Sequence, residues 1–113
     1  MEYKGKDFYC DIALKDPSLL KKEYESENVL AFYHTNPHWP VHIVVVPKKH
    51  IASFTAIDKM DDPIIIELFN VVKTVAKKIE NEQGAAKIIT NLGEYQDSKH
   101  LHFHIGSGDP LRY

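Results

Sequence analysis

The stretch Lys99-His100-Leu101-His102-Phe103-His104-Ile105-Gly106 sets the tightest limit on how this chain can fold. Three histidines alternate with three apolar residues, the period of a β-strand with one buried face. Leu101, Phe103 and Ile105 are expected to enter a core, leaving His100, His102 and His104 together on the opposite face. At about 3.3 Å per residue, each outer histidine stands roughly 6.6 Å along the strand from His102. Imidazoles held on a rigid element at that spacing can surround a phosphate or a metal ion. A face that is merely solvated more often carries Lys, Glu and Thr.

Bulk properties narrow the setting. The chain has 113 residues, enough for one domain with one modest core. A net charge of −2 excludes the basic stripe that duplex nucleic acid demands. No apolar run approaches the roughly 18 residues that span a bilayer, and residues 1–7 lack the apolar core of a secretory signal. Cys10 is the single cysteine, so no disulfide within the chain and no multi-cysteine zinc site can form. These features point to a cytoplasmic protein with no membrane partner.

Along the chain, residues 1–7 read as a loose end, and Phe8 to Leu14 as a short helix or strand broken at Asp16-Pro17-Ser18. Lys21 to Glu25 is charged like an exposed edge strand, and Glu27-Asn28 turns it into the apolar strand Val29 to Tyr33. Pro37 and Pro40 keep the next residues irregular as far as His42. Ile43 to Val46 are four β-branched residues, the composition of a strand covered on both faces, and Pro47 ends it. Lys48 and Lys49 are expected to be solvated, His50 to cap the strand, and His38 to be an exposed loop residue. Ile51 to Lys59 is a short irregular or helical connection.

The clearest helix is predicted from Asp62 as N-cap and Pro63 as first helical residue to Gly84 just past its end. Ile65, Leu68, Val72, Val75 and Ile79 form one apolar stripe that packs on a sheet. Ala85 to Thr90 is a further strand, and residues 91–96 turn into the histidine strand. Hairpin-spaced strands with one long helix give an α+β class with helices on one face of a sheet.

Upstream, Asn36-Pro37-His38-Trp39-Pro40-Val41-His42 runs into Ile43-Val44-Val45-Val46-Pro47-Lys48-Lys49-His50-Ile51. Together with His-apolar-His-apolar-His-apolar, and with Asn91-Leu92-Gly93 and Gln96 between the blocks, it resembles the histidine triad (HIT) superfamily of nucleotide hydrolases and transferases. The resemblance covers Tyr9 to Gly106 and is nearest to the Hint-like branch. It implies one domain over 1–113 with its core at about 8–107, built as a five-stranded antiparallel sheet with two helices on one face. It also implies a homodimer and a nucleotide substrate, a purine nucleoside phosphate, with no cofactor and no metal.

Neutral imidazole is a nucleophile available near pH 7. In proteins of this pattern the middle histidine, here His102, forms a covalent nucleotidyl intermediate. The resemblance makes His100 the residue that orients His102, and His104 a hydrogen-bond donor or general acid at the phosphate and leaving group. His42 is a fourth phosphate contact. Asn91, Gln96 and Ser98 are candidates for the phosphate or leaving group, and Tyr9, Phe32 and Tyr33 for stacking on a base. Two positions depart from the pattern. His34 stands where relatives carry an acidic residue for the ribose hydroxyls, and Asp97 follows Gln96 where they carry a small hydroxyl residue.

Two other readings fit part of the pattern. A non-catalytic nucleotide-binding or interaction module could keep the same fold, although retention of all three triad histidines and His42 argues against it. A metal-binding protein could use His-x-His pairs on one strand to chelate zinc. Indifference to a chelator separates the phosphate chemistry from the metal reading.

Overall fold

The computed structural model describes residues 20–111. Tyr9, the segment Phe8 to Leu14 and any second helix within it lie outside the described residues. Strand β1 (Lys22–Glu25) turns into β2 (Val29–Tyr33), followed by β3 (Val41–Pro47). Two 3-10 turns, Phe54–Ala56 and Lys59–Asp61, lead into helix α1 (Asp62–Gln83). Strand β4 (Lys87–Ile89), a third turn at Gly93–Tyr95 and β5 (Phe103–Ser107) complete the order.

The five strands make one antiparallel sheet in the order β1-β2-β3-β5-β4. Period-2 alternation decides what each face holds. Val29, Ala31, Ile43, Val45, Leu101, Phe103 and Ile105 meet Leu68, Val71, Val72, Val75 and Ile79 of α1 in the main core. The helix stripe is therefore as expected, with Val71 added. Valine and isoleucine disfavour helix relative to alanine by up to about 0.7 kcal/mol each. Full burial of such a side chain returns about 1.5–3 kcal/mol, so packing on the sheet outweighs propensity. Gly84, at φ 85°, closes the helix by donating to the Glu80 carbonyl.

Several expectations shift. Asp61, not Asp62, is the N-cap residue of α1. Asp58 and Asp61 cap the preceding turn reciprocally, and Lys49 pairs with the buried Asp61 carboxylate at 2.6 Å, which draws Asp62 into the helix. Lys48 and Lys49 are thus not simply solvated. Lys48 pairs with Glu25 at 2.6 Å, and with Lys22 it holds the Glu25 carboxyl down to about 2.

The histidine strand enters the ladder only at Phe103. Ahead of it, the carbonyls of His100 and His102 accept hydrogen bonds from side chains, His102 Nδ1 and Thr90 Oγ1, instead of from a neighbouring strand. Leu101 N–H donates to the Ile51 carbonyl at 2.6 Å and keeps the alternation in phase.

Candidate active site

β3 and β5, far apart in sequence, lie side by side in the middle of the sheet. Val44 opposes His104 and His42 opposes Gly106. Alternation sends His42, Val44 and Val46 of β3 to the face away from α1, and His104 follows them from β5. The ring centroids of His42 and His104 are 5.0 Å apart, and those of His104 and His102 are 4.8 Å apart. His34 joins the group, stacked on His42 at 4.3 Å and 5.9 Å from His104.

The backbone assigns a proton to each ring. The His38 N–H can only donate, and it points at His42 Nδ1 at 3.0 Å. His42 therefore carries its hydrogen on Nε2 and gives it to His104 Nδ1 at 2.8 Å. That leaves His104 with its hydrogen on Nε2. On the other side, His102 Nδ1 meets the His100 carbonyl at 2.7 Å, so Nδ1 is the donor and Nε2 of the neutral ring keeps its lone pair. The contact at His102 Nδ1 comes from the His100 backbone and not from the His100 imidazole. The His100 ring is fully buried and donates from Nε2 to the Pro47 carbonyl at 2.7 Å, with His50 edge-on at 5.3 Å.

Burial, with His102, His42 and His34 close by, pushes His104 down to about 3 from the ordinary 6.5. Near neutral pH, His104 is a hydrogen-bond donor through Nε2 and carries no charge. The pair His42–His104 thus delivers a fixed N–H beside a fixed lone pair on His102. Such an arrangement suits a tetrahedral phosphoryl group under attack.

Nitrogens of His34, His42 and His104 lie within 4.8 Å of one another. Such a group could hold a metal ion. The Asn36 N–H donates to His34 Nδ1 at 2.9 Å, which puts the His34 hydrogen on Nε2, as in His42.

The other sequence candidates divide. Gln96 is buried and its amide donates to the Ala52 carbonyl at 2.6 Å, tying two loops together. Ser98 is buried beside it in sequence, Asn91 is half-buried and Asp97 is exposed. Phe32 is on the histidine face, packed with Leu30, Val44 and Val46. Tyr33, its neighbour in a strand, faces the helix side, where its hydroxyl donates to Glu23 at 2.8 Å. It is not brought to the histidines. Sequence reasoning missed the role of His38, whose backbone N–H sets the His42 tautomer; no side-chain pattern signals such a contact.

The HIT domain model matches residues 20–111. An uncharacterized HIT-like protein of Helicobacter pylori is 36% identical over 90 residues, 78% of this chain and 84% of that protein. A HIT-like protein of Methanocaldococcus jannaschii is 38% identical over 104 residues, covering 82% and 76% respectively. Among solved structures, a HIT family hydrolase from Clostridium thermocellum superposes with a TM-score of 0.79 at 28% identity, covering 98% of this chain and 97% of that one. A histidine triad protein from Clostridium difficile gives 0.76 at 34% identity, covering 99% and 98%. A domain model over most of the chain, with relatives above 30% identity that cover more than two thirds of it, places it plainly: the chain belongs to the HIT family.

Proposed function

We propose that the protein is a nucleotidyl hydrolase or transferase of the Hint-like branch, cleaving a nucleoside phosphoramidate or a related nucleotide anhydride. The observation that carries this reading is the tautomer of His102, with Nδ1–H on the His100 carbonyl at 2.7 Å, which leaves the lone pair on Nε2. Nε2 attacks phosphorus, and the bond to the departing amine or phosphate breaks with its electron pair, the leaving group taking a proton from solvent. The nucleotidyl-His102 so formed is an imidazolium, stabilised by the carbonyl already bonded to Nδ1–H. Water then attacks the same phosphorus and gives a proton to solvent, the phosphorus–nitrogen bond breaks with its electron pair returning to Nε2, and the nucleoside monophosphate leaves with His102 restored. His104 Nε2–H donates to a phosphoryl oxygen, and His42 keeps that hydrogen on Nε2. None of these steps calls on a metal.

Buried Ser98 and half-buried Asn91 precede the triad and are assigned to the leaving-group side; Phe32 is assigned to the nucleoside side, with Tyr9. We also assign the protein to the cytoplasm and to a homodimer. No helix among the described residues is long and apolar enough to cross a membrane. The dimer is supported by edge strand β4, which exposes Ile88 beside a groove of about 540 Å³ lined by Phe69, Val72 and Phe103.

The test is hydrolysis of an adenosine 5′-phosphoramidate, with chelator present, by the wild type and by His102→Ala. Turnover by the wild type alone supports the reading. Absence of turnover by the wild type, across adenosine and guanosine phosphoramidates and dinucleoside polyphosphates, favours the non-catalytic binding module instead.

A further inference from the structure

His42 controls the proton on His104, and neighbours on both sides of β3 hold His42 in turn. Its backbone partner across the sheet is Gly106, which also pairs with Lys87 on β4. A Cβ on Gly106 would sit 2.4 Å from Cε3 of Trp39 and 2.9 Å from Cδ2. The glycine therefore leaves a slot, and the Trp39 indole fills it. The same indole lies 4.7 Å from the His42 ring and 4.9 Å from the His38 ring, with Lys87 Nζ 5.1 Å from its own centroid.

Trp39 is nine-tenths buried, and its Nε1 is the buried side-chain nitrogen or oxygen left without a hydrogen-bond partner among the described residues. A fold rarely leaves such a donor standing. Its retention here points to the flat ring as the useful part. The segment after the triad strand closes on the same loop. The Leu111 N–H donates to the His38 carbonyl at 2.7 Å, and Gly108, at φ +97°, packs its α-carbon side against Pro40. Together these contacts fix residues 38–40 from both sides, and residue 38 supplies the N–H that sets the His42 tautomer.

We infer that Trp39, seated in the Gly106 slot, is a positioning residue for His42, holding the His38 N–H and the His42 ring in register so that His104 keeps its hydrogen on Nε2. It touches neither substrate nor the reacting atoms in this role. The inference rests on the proposed function for its kinetic consequence, though not for its structural one.

The experiment compares wild type with Trp39→Ala, Trp39→Phe, Gly106→Ala and the double variant Trp39→Ala/Gly106→Ala. Nitrogen-edited proton NMR follows the slowly exchanging imidazole proton between His42 and His104, alongside kcat and KM on adenosine phosphoramidate. Leu68→Ala, in the core on the opposite face, is the control for lost stability alone. Trp39→Ala and Gly106→Ala are expected to lose or displace that resonance and to lower kcat about 10- to 100-fold with KM changed less than about threefold, the scale of misplacing a catalytic group by about 1 Å. Trp39→Phe, which keeps a flat ring, should recover most of the rate. The double variant should be no worse than the poorer single one, since both disturb one contact. Leu68→Ala should melt earlier yet keep the resonance and kcat. If Trp39→Ala and Gly106→Ala retain the resonance, or if Leu68→Ala loses it equally, the inference is wrong. If the wild type shows the resonance but turns over no nucleotide, the proposed function fails while the NMR comparison still decides the positioning role.

Discussion

Replacing His104 by Gln should flatten the acid limb of the protein's stability. His104 sits near 3 in the folded protein and at 6.5 when exposed. Because the folded value is the lower one, the unfolded chain takes up this proton first as pH falls. The stability tied to a neutral, buried His104 is fully present above about 6.5 and drains away as pH drops towards about 3, where the folded ring also protonates. Between about pH 7.5 and about pH 5 the loss from this one ring is about 2 kcal/mol, from the ratio of protonated to neutral unfolded forms. The window is well placed. The depressed carboxylates, Glu25 held near 2 by Lys48 and Lys22 and Asp61 lowered by Lys49, lose their contribution only below their ordinary values of about 4. Urea unfolding at several pH values, with the wild type and His104→Gln compared by slope, measures the difference. A wild-type slope steeper by about 2 kcal/mol over the window is expected. Parallel slopes would refute the placement of His104 as a buried neutral ring.

Two further outcomes follow from the fold. Glu67 on α1 accepts from Ser26 Oγ at 2.5 Å, Asn28 N–H at 2.8 Å and Asn28 Nδ2 at 3.1 Å, pinning the β1–β2 turn to the helix. Glu67→Ala should cost about 1–3 kcal/mol in urea unfolding and leave kcat within about twofold, because the turn lies at the Pro47 end of β3, opposite the end that carries His42; a large kcat loss would show that the turn reaches the site through Lys48 and Pro47. Light scattering should give twice the chain mass of 13.0 kDa, and Ile88→Asp on edge strand β4 should halve it. A wild-type mass near 13.0 kDa contradicts the dimer.

Much of the site was legible because a strand has a period of 2. The alternation in residues 100–105 places Leu101, Phe103 and Ile105 in the core and the histidines opposite, and the structure keeps that phase even where the ladder has not begun. The same rule excludes Phe32 and Tyr33 from one pocket, since neighbours in a strand point to opposite faces. It equally places His34 on the side of Phe32, and so near His42. What the sequence does not carry is backbone chemistry. The His38 N–H, the His100 carbonyl and the Pro47 carbonyl assign the protons on three rings, and no residue identity encodes them. Nor does a lone glycine announce that an indole lies against it, as at Gly106. The pairing of Lys49 with Asp61 was hidden for a related reason, because the partner arrives through a turn whose path depends on its own capping.

The central claim is that the His102 lone pair forms the bond to phosphorus, and it is tested most directly by trapping that bond. Rapid quenching of the wild type with adenosine phosphoramidate, followed by intact mass and peptide mapping, should show one adenylyl group on the peptide carrying residue 102, labile to acid and absent from His102→Ala. A quenched wild type that turns over substrate with no adduct, or with the adduct on His42 or His104, would contradict the account.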